Sequence, residues 1–245
     1  MLNQVTGKDP RMPFQLSHVV PWGRSFEEYV AMFALSHEDL QKSILGCGDG
    51  PASFNAALTK RGGTIVSVDP LYAFQTAQIK QRIDDTFDAV IAETQKNRQE
   101  FVWKHIKSVD ELGRVRMAAM NDFLLDFERG KRTGRYVAQS FPFLEFSDGQ
   151  FDLALCSHLL FLYSDHFDLS FHINSIREMC RVAREARIFP LLQLGTKPSV
   201  HLQSVIHHFE EQGYEISVVD VSYEFQKGGN QMLRVARTHR CSQMN

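Results

Sequence analysis

Gly46-Cys47-Gly48-Asp49-Gly50-Pro51 is the first place in the chain where residue types and spacing can do chemistry. Glycine lets a backbone approach a ligand closely, because no Cβ stands in the way. The run follows a short apolar stretch, Ser43 to Cys47. It precedes Ala52 to Arg61, which reads as a helix with Pro51 in its first turn and Gly62-Gly63 at its end. A helix start presents unbonded N–H groups to whatever lies there. Thr64 to Val68 is the next apolar stretch. It ends at Asp69-Pro70, about 20 residues after the glycines, where an acid can accept hydrogen bonds from ribose hydroxyls. Strand, glycine turn, helix, strand and acid together make a βαβ unit suited to a nucleoside-bearing ligand.

A second group follows a strongly apolar strand, Phe151 to Ser157. It runs Ser157-His158-Leu159-Leu160-Phe161-Leu162-Tyr163-Ser164-Asp165-His166. In an open α/β sheet this is the ligand end. His158 can serve there as a general base, and Tyr163 is a second candidate. The competing use of His158 is a backbone hydrogen bond in a core or loop. Asp165 reads as a surface cap. Arg24 and Tyr29 lie on a segment, Arg24 to Leu35, whose apolar residues recur at helical spacing. Surface charge and core packing are their competing uses. His207-His208 lacks an acidic partner pattern for a metal, so no metal site is expected.

These groups need elements to position them. Residues 1 to about 22 read as irregular, and Ser36 with Asp39 reads as a capped turn. Thr76 to Ile106 and Ser108 to Phe127 are helical. Tyr136 to Gln139 and Ala186 to Leu194 read as strands, and Ser147 to Gln150 as a turn. Phe171 to Val182 and His201 to Gln212 read as helices, the second closed by Gly213. Glu215 to Phe225 and Gln231 to Val235 alternate like strands, with Lys227-Gly228-Gly229-Asn230 as a hairpin signal.

Bulk properties narrow the function classes. Of 245 residues, 43% are hydrophobic and 23% charged, which is ordinary for a globular protein. The formal charge is −2 and no long basic run appears, which disfavours a nucleic-acid partner. The cluster Arg129 to Arg135 reads as a solvated face. The four cysteines, Cys47, Cys156, Cys180 and Cys241, show no paired metal spacing. With no signal-peptide pattern and no apolar run of membrane length, a cytoplasmic location without a membrane partner is expected. Among 19 phenylalanines, Phe141, Phe143, Phe146 and Phe161 read as core filler, with the wall of an apolar cavity as their other use.

Ile44-Leu45-Gly46-Cys47-Gly48-Asp49-Gly50-Pro51-Ala52 resembles the first motif of class I S-adenosylmethionine-dependent methyltransferases. Ile65-Val66-Ser67-Val68-Asp69 resembles the second, whose acid binds the ribose in that family. Phe146 to Cys156 resembles the approach to the fourth strand, and the final hairpin resembles the reversed seventh strand beside the sixth. The likeness covers roughly residues 40 to 70 and 135 to 237. It implies an α/β fold: a doubly wound, Rossmann-like, mostly parallel seven-stranded sheet with a C-terminal antiparallel hairpin and a helical insert. One methyltransferase-like domain would span 1–245, with an N-terminal helical cap at 1–42 and the insert at 75–129.

The resemblance further implies S-adenosylmethionine as cofactor and a small-molecule methyl acceptor as partner. Cofactor contacts fall to Arg24, Tyr29, Gly46, Cys47, Gly48, Asp69, Pro70, Leu71, Ser140, Phe141 and Ser157, with Arg24 on the methionyl carboxylate. His158 and Tyr163 are the catalytic candidates. Two features depart from the family pattern. Ser140 stands where the family often has an acid near adenine, and no Asn-Pro-Pro-Tyr-like motif follows the fourth strand. Two other functions stay open: a non-catalytic binding or scaffold protein on this fold, and an NAD-linked oxidoreductase. The dinucleotide fingerprint wants a third glycine where Pro51 and Ala52 stand. The insert is expected to cover the ligand end, with Phe87, Val90, Ile91, Phe101, Val102 and Ile106 toward the cavity. Its competing use is a surface appendage that supports a homodimer.

Overall fold

The computed structural model describes residues 19–237. The expected irregular segment before residue 19, the outer part of the 1–42 cap and Cys241 lie outside them. Ser43–Cys47 (β1) and Phe151–Ser157 (β4) form the centre of a seven-stranded sheet. Thr64–Val68 (β2) and Tyr136–Val137 (β3) extend it on one side. Ala183–Phe189 (β5), Tyr214–Asp220 (β6) and Gln231–Arg237 (β7) extend it on the other. The order is β3-β2-β1-β4-β5-β7-β6. The first five of these pair in parallel, and β7 runs antiparallel to both β5 and β6. This is the Rossmann-like topology of methyltransferases. The chain reverses its direction of growth between β1 and β4, so a crevice opens beyond their C-terminal ends.

Alternation along the central strands sorts residues to two faces. Leu45, Cys47, Ala154 and Cys156 pack with Ile176, Met179, Val205 and Phe209. Those partners come from the helices Leu169–Val182 (α5) and Leu202–Glu211 (α6). Ile44, Leu153 and Leu155 face the other way, against Phe26–Met32 (α1) and Phe54–Lys60 (α2). A third cluster belongs to Thr76–Lys96 (α3) and Val109–Arg132 (α4). Tyr72, Phe123, Phe127 and Tyr136 meet there, with Phe123 and Phe127 centroids 5.1 Å apart. The insert therefore has its own core, joined to the sheet through Tyr136 of β3.

Several elements stop short of their expected ends, each for a local reason. The helix from Thr76 ends at Lys96 instead of reaching Ile106. Beyond it the Val102 N–H donates to the Phe225 carbonyl (2.7 Å), so that stretch is extended. Pro51 precedes α2, which begins at Phe54. β5 ends at Phe189, before Pro190, which has no N–H to continue a ladder. β6 ends at Asp220 instead of Phe225, and the hairpin connection is the longer stretch 221–230. That connection carries Tyr223 and Phe225 off the sheet toward the crevice. Of the four phenylalanines considered for a cavity wall, Phe143 is exposed, Phe161 is buried in the core and Phe146 packs edge-on against Phe151. Phe141 packs against the sheet core.

Three covering pieces meet at one carboxylate. Glu28 of α1 accepts from Arg116 Nη1 of α4 (2.6 Å to Oε1) and from the Tyr223 hydroxyl of the 221–230 connection (2.8 Å). Its other oxygen closes the capping box of α1 by accepting from Ser25 N–H (2.9 Å). Arg116 has 0% exposure, and Glu28 keeps its carboxyl below the usual range despite burial, because Arg116 stands beside it. Breaking a buried pair from one side leaves a bare charge, which costs about 3–5 kcal/mol. Arg116→Met is expected to lower unfolding free energy by about that amount in urea titrations, and adding Glu28→Gln should recover part of it. A loss below about 1 kcal/mol would show that the pair does not hold the cover.

Candidate functional site

The glycine turn after β1 is filled from within. Asp49 curls back beneath it, so that a Cβ on Gly46 would lie 1.8 Å from Asp49 Oδ2. The Tyr29 hydroxyl donates to Asp49 Oδ1 (2.8 Å) and the Ser67 hydroxyl to Oδ2 (2.6 Å). Ser67 in turn accepts from Asn55 Nδ2 (3.0 Å). Burial pushes the Asp49 carboxyl up to about 6 against these donors. Gly48 has φ +65°, and a Cβ there would meet Leu159 at 2.4 Å. These two glycines are needed for protein neighbours as much as for any ligand.

Beyond the turn lies a cavity of about 280 Å³ whose walls include Arg24, Gly48, Asp69, Leu71, Ser157 and His158. Pro70 and Tyr29 also reach it. The Tyr29 ring lies stacked on Phe54 with centroids 4.5 Å apart and its hydroxyl is spent on Asp49, so it supports the floor. Asp69 accepts from Leu71 N–H (2.8 Å) and Gly50 N–H (2.9 Å), one on each oxygen. Burial raises its carboxyl and these donors oppose the rise. A carboxylate has about four lone-pair sites, so acceptor capacity remains. Arg24 donates from Nη1 to the Trp22 carbonyl (2.6 Å), and its buried Nε has no partner among the described residues. Nor does Arg24 form an ion pair with any described acid. Burial, and then the charge of Arg116, lower its pKa.

A second cavity, of about 90 Å³, shares Val20, Trp22, Arg24 and His158 with the first. Its other walls include Val90 and Thr94 of α3, Leu112 of α4, Leu162, Tyr163 and Phe225. His158 sits at the junction with φ +53°, its N–H on the Phe189 carbonyl (2.7 Å) and Nδ1 2.8 Å from Ser157 Oγ. Burial, with Arg24 and Arg116 nearby, holds its imidazole well below the ordinary range, so it is neutral at pH 7.

The structure thus gathers Arg24, Gly48, Asp69, Pro70, Leu71, Ser157 and His158 around one cavity. Other expected contacts fall elsewhere. Cys47 is fully buried in the sheet core, and Gly46 gives its side-chain space to Asp49. Ser140 is exposed and pairs with Phe143 in an isolated bridge, because β3 already ends at Val137; neither Ser140 nor Phe141 lines the cavity. Tyr163 lines only the second cavity, its hydroxyl accepting from Val20 N–H at 3.4 Å. Of the insert residues expected to face the site, Val90 and Phe101 line the second cavity and Phe87 backs Trp22 at 5.5 Å. Ile91, Val102 and Ile106 line neither. His207 does have an acid one turn on, Glu211 at 3.2 Å, which corrects the sequence reading; no cluster of metal-ligating residues exists among the described residues. Nor, among them, is any helix long and apolar enough to cross a membrane.

Missed from sequence were Asp49, Trp22 and the Glu28–Arg116–Tyr223 group. Asp49 had a local signal, an acid inside a glycine run; the others are joined only by long-range packing.

The uncharacterized protein MJ0045 of Methanocaldococcus jannaschii is 31% identical over 223 residues, covering 91% of this chain and 98% of its own. The chain belongs to the family of that archaeal protein. No protein-family model matches it. Solved structures resemble it in chain course. Magnesium protoporphyrin IX methyltransferase from Synechocystis PCC 6803 with bound SAM has 14% identity and TM-score 0.43, over 87% of this chain and 78% of that one. A SAM-dependent methyltransferase from Aquifex aeolicus has 14% identity and TM-score 0.40, over 86% and 87%. Likeness at this level says nothing of substrate.

Asp49 gives the family member a pH signature. Unfolded, its carboxyl titrates near 3.8, and folded at about 6. Between these values the folded protein keeps a proton the unfolded chain has lost. Stability therefore falls as pH rises from about 4 to 6, and the cost is complete above about 6. Asp39, lowered to about 2, acts with the opposite sign, but only below this window. Asp49→Asn is expected to shrink the stability difference between pH 4.5 and 7.5 by roughly 1–3 kcal/mol, read from urea midpoints. An identical pH dependence in both proteins would contradict this.

Proposed function

We propose that the chain is an S-adenosylmethionine-dependent methyltransferase acting on a small molecule. One observation carries the choice of cofactor. Four N–H groups at the turn are already spent: Gly48 on Val68 (2.8 Å), Gly50 on Asp69 (2.9 Å), Ala52 on Asp49 (3.3 Å) and Ser53 on Arg24 (3.0 Å). A pyrophosphate at this turn would need those donors free, and would also meet the Asp49 carboxylate beneath it. The site therefore disfavours NAD. It suits a ligand with a ribose and an amino-acid end.

The residues present fit S-adenosylmethionine. The Arg24 guanidinium, whose Nε has no partner among the described residues and which pairs with no described acid, matches a carboxylate. Asp69 keeps acceptor capacity for ribose hydroxyls, with Leu71 and Phe74 as apolar surface beside it. When bound, this cofactor supplies an electrophilic methyl on a sulfonium sulfur. Arg24 would hold the carboxylate and so fix the cofactor's long axis, and positioning of this kind supplies much of a transfer rate. His158 stays neutral at physiological pH, and in the tautomer that donates from Nδ1 to Ser157 Oγ its Nε2 would be the atom that takes a proton from an acceptor. α3 contributes to both cavities, through Arg82 in the first and Val90 in the second, which supports its role as a cover that excludes water.

Calorimetry with S-adenosylhomocysteine, adenosine and NAD tests this. S-adenosylhomocysteine should bind and NAD should not. Asp69→Ala should weaken both S-adenosylhomocysteine and adenosine by about 1.5–3 kcal/mol. Arg24→Met should weaken S-adenosylhomocysteine by a similar amount, about 1.5–3 kcal/mol, and leave adenosine unchanged. Binding of NAD alone, or no binding of S-adenosylhomocysteine, would overturn the reading.

A further inference from the structure

We propose that the second cavity is the acceptor chamber and that it takes an uncharged, single-ring aromatic compound. This rests on the methyltransferase reading and names the substrate class of that site.

Position comes first. The chamber adjoins the cofactor cavity through Trp22, Arg24 and His158, so a ligand in it lies against the end of the cavity that Arg24 marks. Asp69 lines the first cavity only, so the chamber is on the side away from the ribose acid.

The walls decide the chemistry. Rings and aliphatic chains make up much of them, Trp22, Phe101 and Phe225 with Val90, Leu112 and Leu194, and Thr94, Tyr163 and Gln226 add uncharged polar groups. Flat apolar ligands suit such walls. The buried charges nearby cancel in pairs. Arg116 is matched by Glu28, and Arg24 by the carboxylate the cofactor would bring. An anionic acceptor would add a charge beside the Glu100 carboxylate, and a cationic one would have to leave water for a largely apolar chamber, which is costly. Glu100 is the other charged residue on the lining; its carbonyl accepts from Lys227 N–H (2.9 Å).

Size sets the upper bound. At about 90 Å³ the chamber is smaller than a cavity of about 150 Å³ that holds one benzene, so it admits at most one ring, and that ring must reach across the shared wall toward the first cavity. The roof prevents larger occupants. Phe101 stacks on Phe225 with centroids 5.0 Å apart, and Trp103 meets Phe225 edge-on at 5.5 Å. Beside them the Val102 N–H donates to the Phe225 carbonyl at 2.7 Å. A protein or nucleic-acid acceptor has no way under this roof while it is closed.

Phenol, benzoate and benzylamine serve as probes on full-length protein, with and without S-adenosylhomocysteine, by saturation-transfer NMR titration. Phenol should bind the S-adenosylhomocysteine-loaded protein at least about tenfold more tightly than either charged probe. Leu112→Trp should abolish phenol binding while the S-adenosylhomocysteine Kd stays within about twofold. That retained Kd also reports folding, and the half-buried Leu194→Trp serves if Leu112→Trp does not fold. If S-adenosylhomocysteine binds but phenol does not, or phenol ignores both tryptophan variants, the chamber assignment is overturned and the methyltransferase reading stands. Tighter benzoate or benzylamine overturns the uncharged class, the latter pointing to the Glu100 carboxylate. Failure of S-adenosylhomocysteine to bind overturns both.

Discussion

The arrangement of the site depends on a single buried carboxylate, Glu28. It caps its own helix, neutralises Arg116 from the insert and accepts from Tyr223 of the connection between β6 and β7. These groups come from three distant parts of the chain. Each presents a polar atom that burial would otherwise leave uncompensated, so none can be placed without the others. The pair also sets the electrostatics of the crevice. Burial lowers both Arg24 and His158, and the Arg116 charge adds to it, while Glu28 opposes it at Arg24. The same contact that closes the cover therefore tunes the groups beneath it.

The turn after β1 carries a second constraint. The N–H groups of Gly48, Gly50 and Ala52 are satisfied by Val68, Asp69 and Asp49, and the turn's underside is occupied by the Asp49 carboxylate. A glycine turn is commonly an anion cradle. Here internal bonding has converted it into a rigid shelf whose polarity is carried by oxygens. That is why the choice between a phosphate-bearing and an amino-acid-bearing nucleoside can be argued from this chain's own hydrogen bonds.

β1, β2 and β4 were legible to the residue, because buried parallel strands read as unbroken apolar runs with clear stops. Asp69 and His158 were legible as cavity-lining positions too, since strand ends fix their place. What failed was anything settled by a partner far along the chain. Ala183 falls between the expected helix and strand until it pairs with Phe151, and Phe101 reads as helix until its backbone meets the β6–β7 connection. Cys47 and Gly46 had the right motif position but the wrong surroundings, for one points into the core and the other yields its space to Asp49. Arg116 gave no signal at all: an arginine in the middle of a polar helix is normally solvated.

The two cavities differ in how much chain each requires. The first cavity draws on the span from Gly48 to Phe74, on the stretch before α1 and on Ser157 to Leu159. The adjoining chamber draws on Val20, on Val90 to Leu112, on the stretch after β4 and on Phe225 and Gln226. Changes confined to the insert and to the last connection can therefore remodel the second cavity while the span from Gly48 to Phe74 stays intact. Members of this family are free to diverge in one while conserving the other, and residues 90–112 and 223–226 are where such divergence would be written.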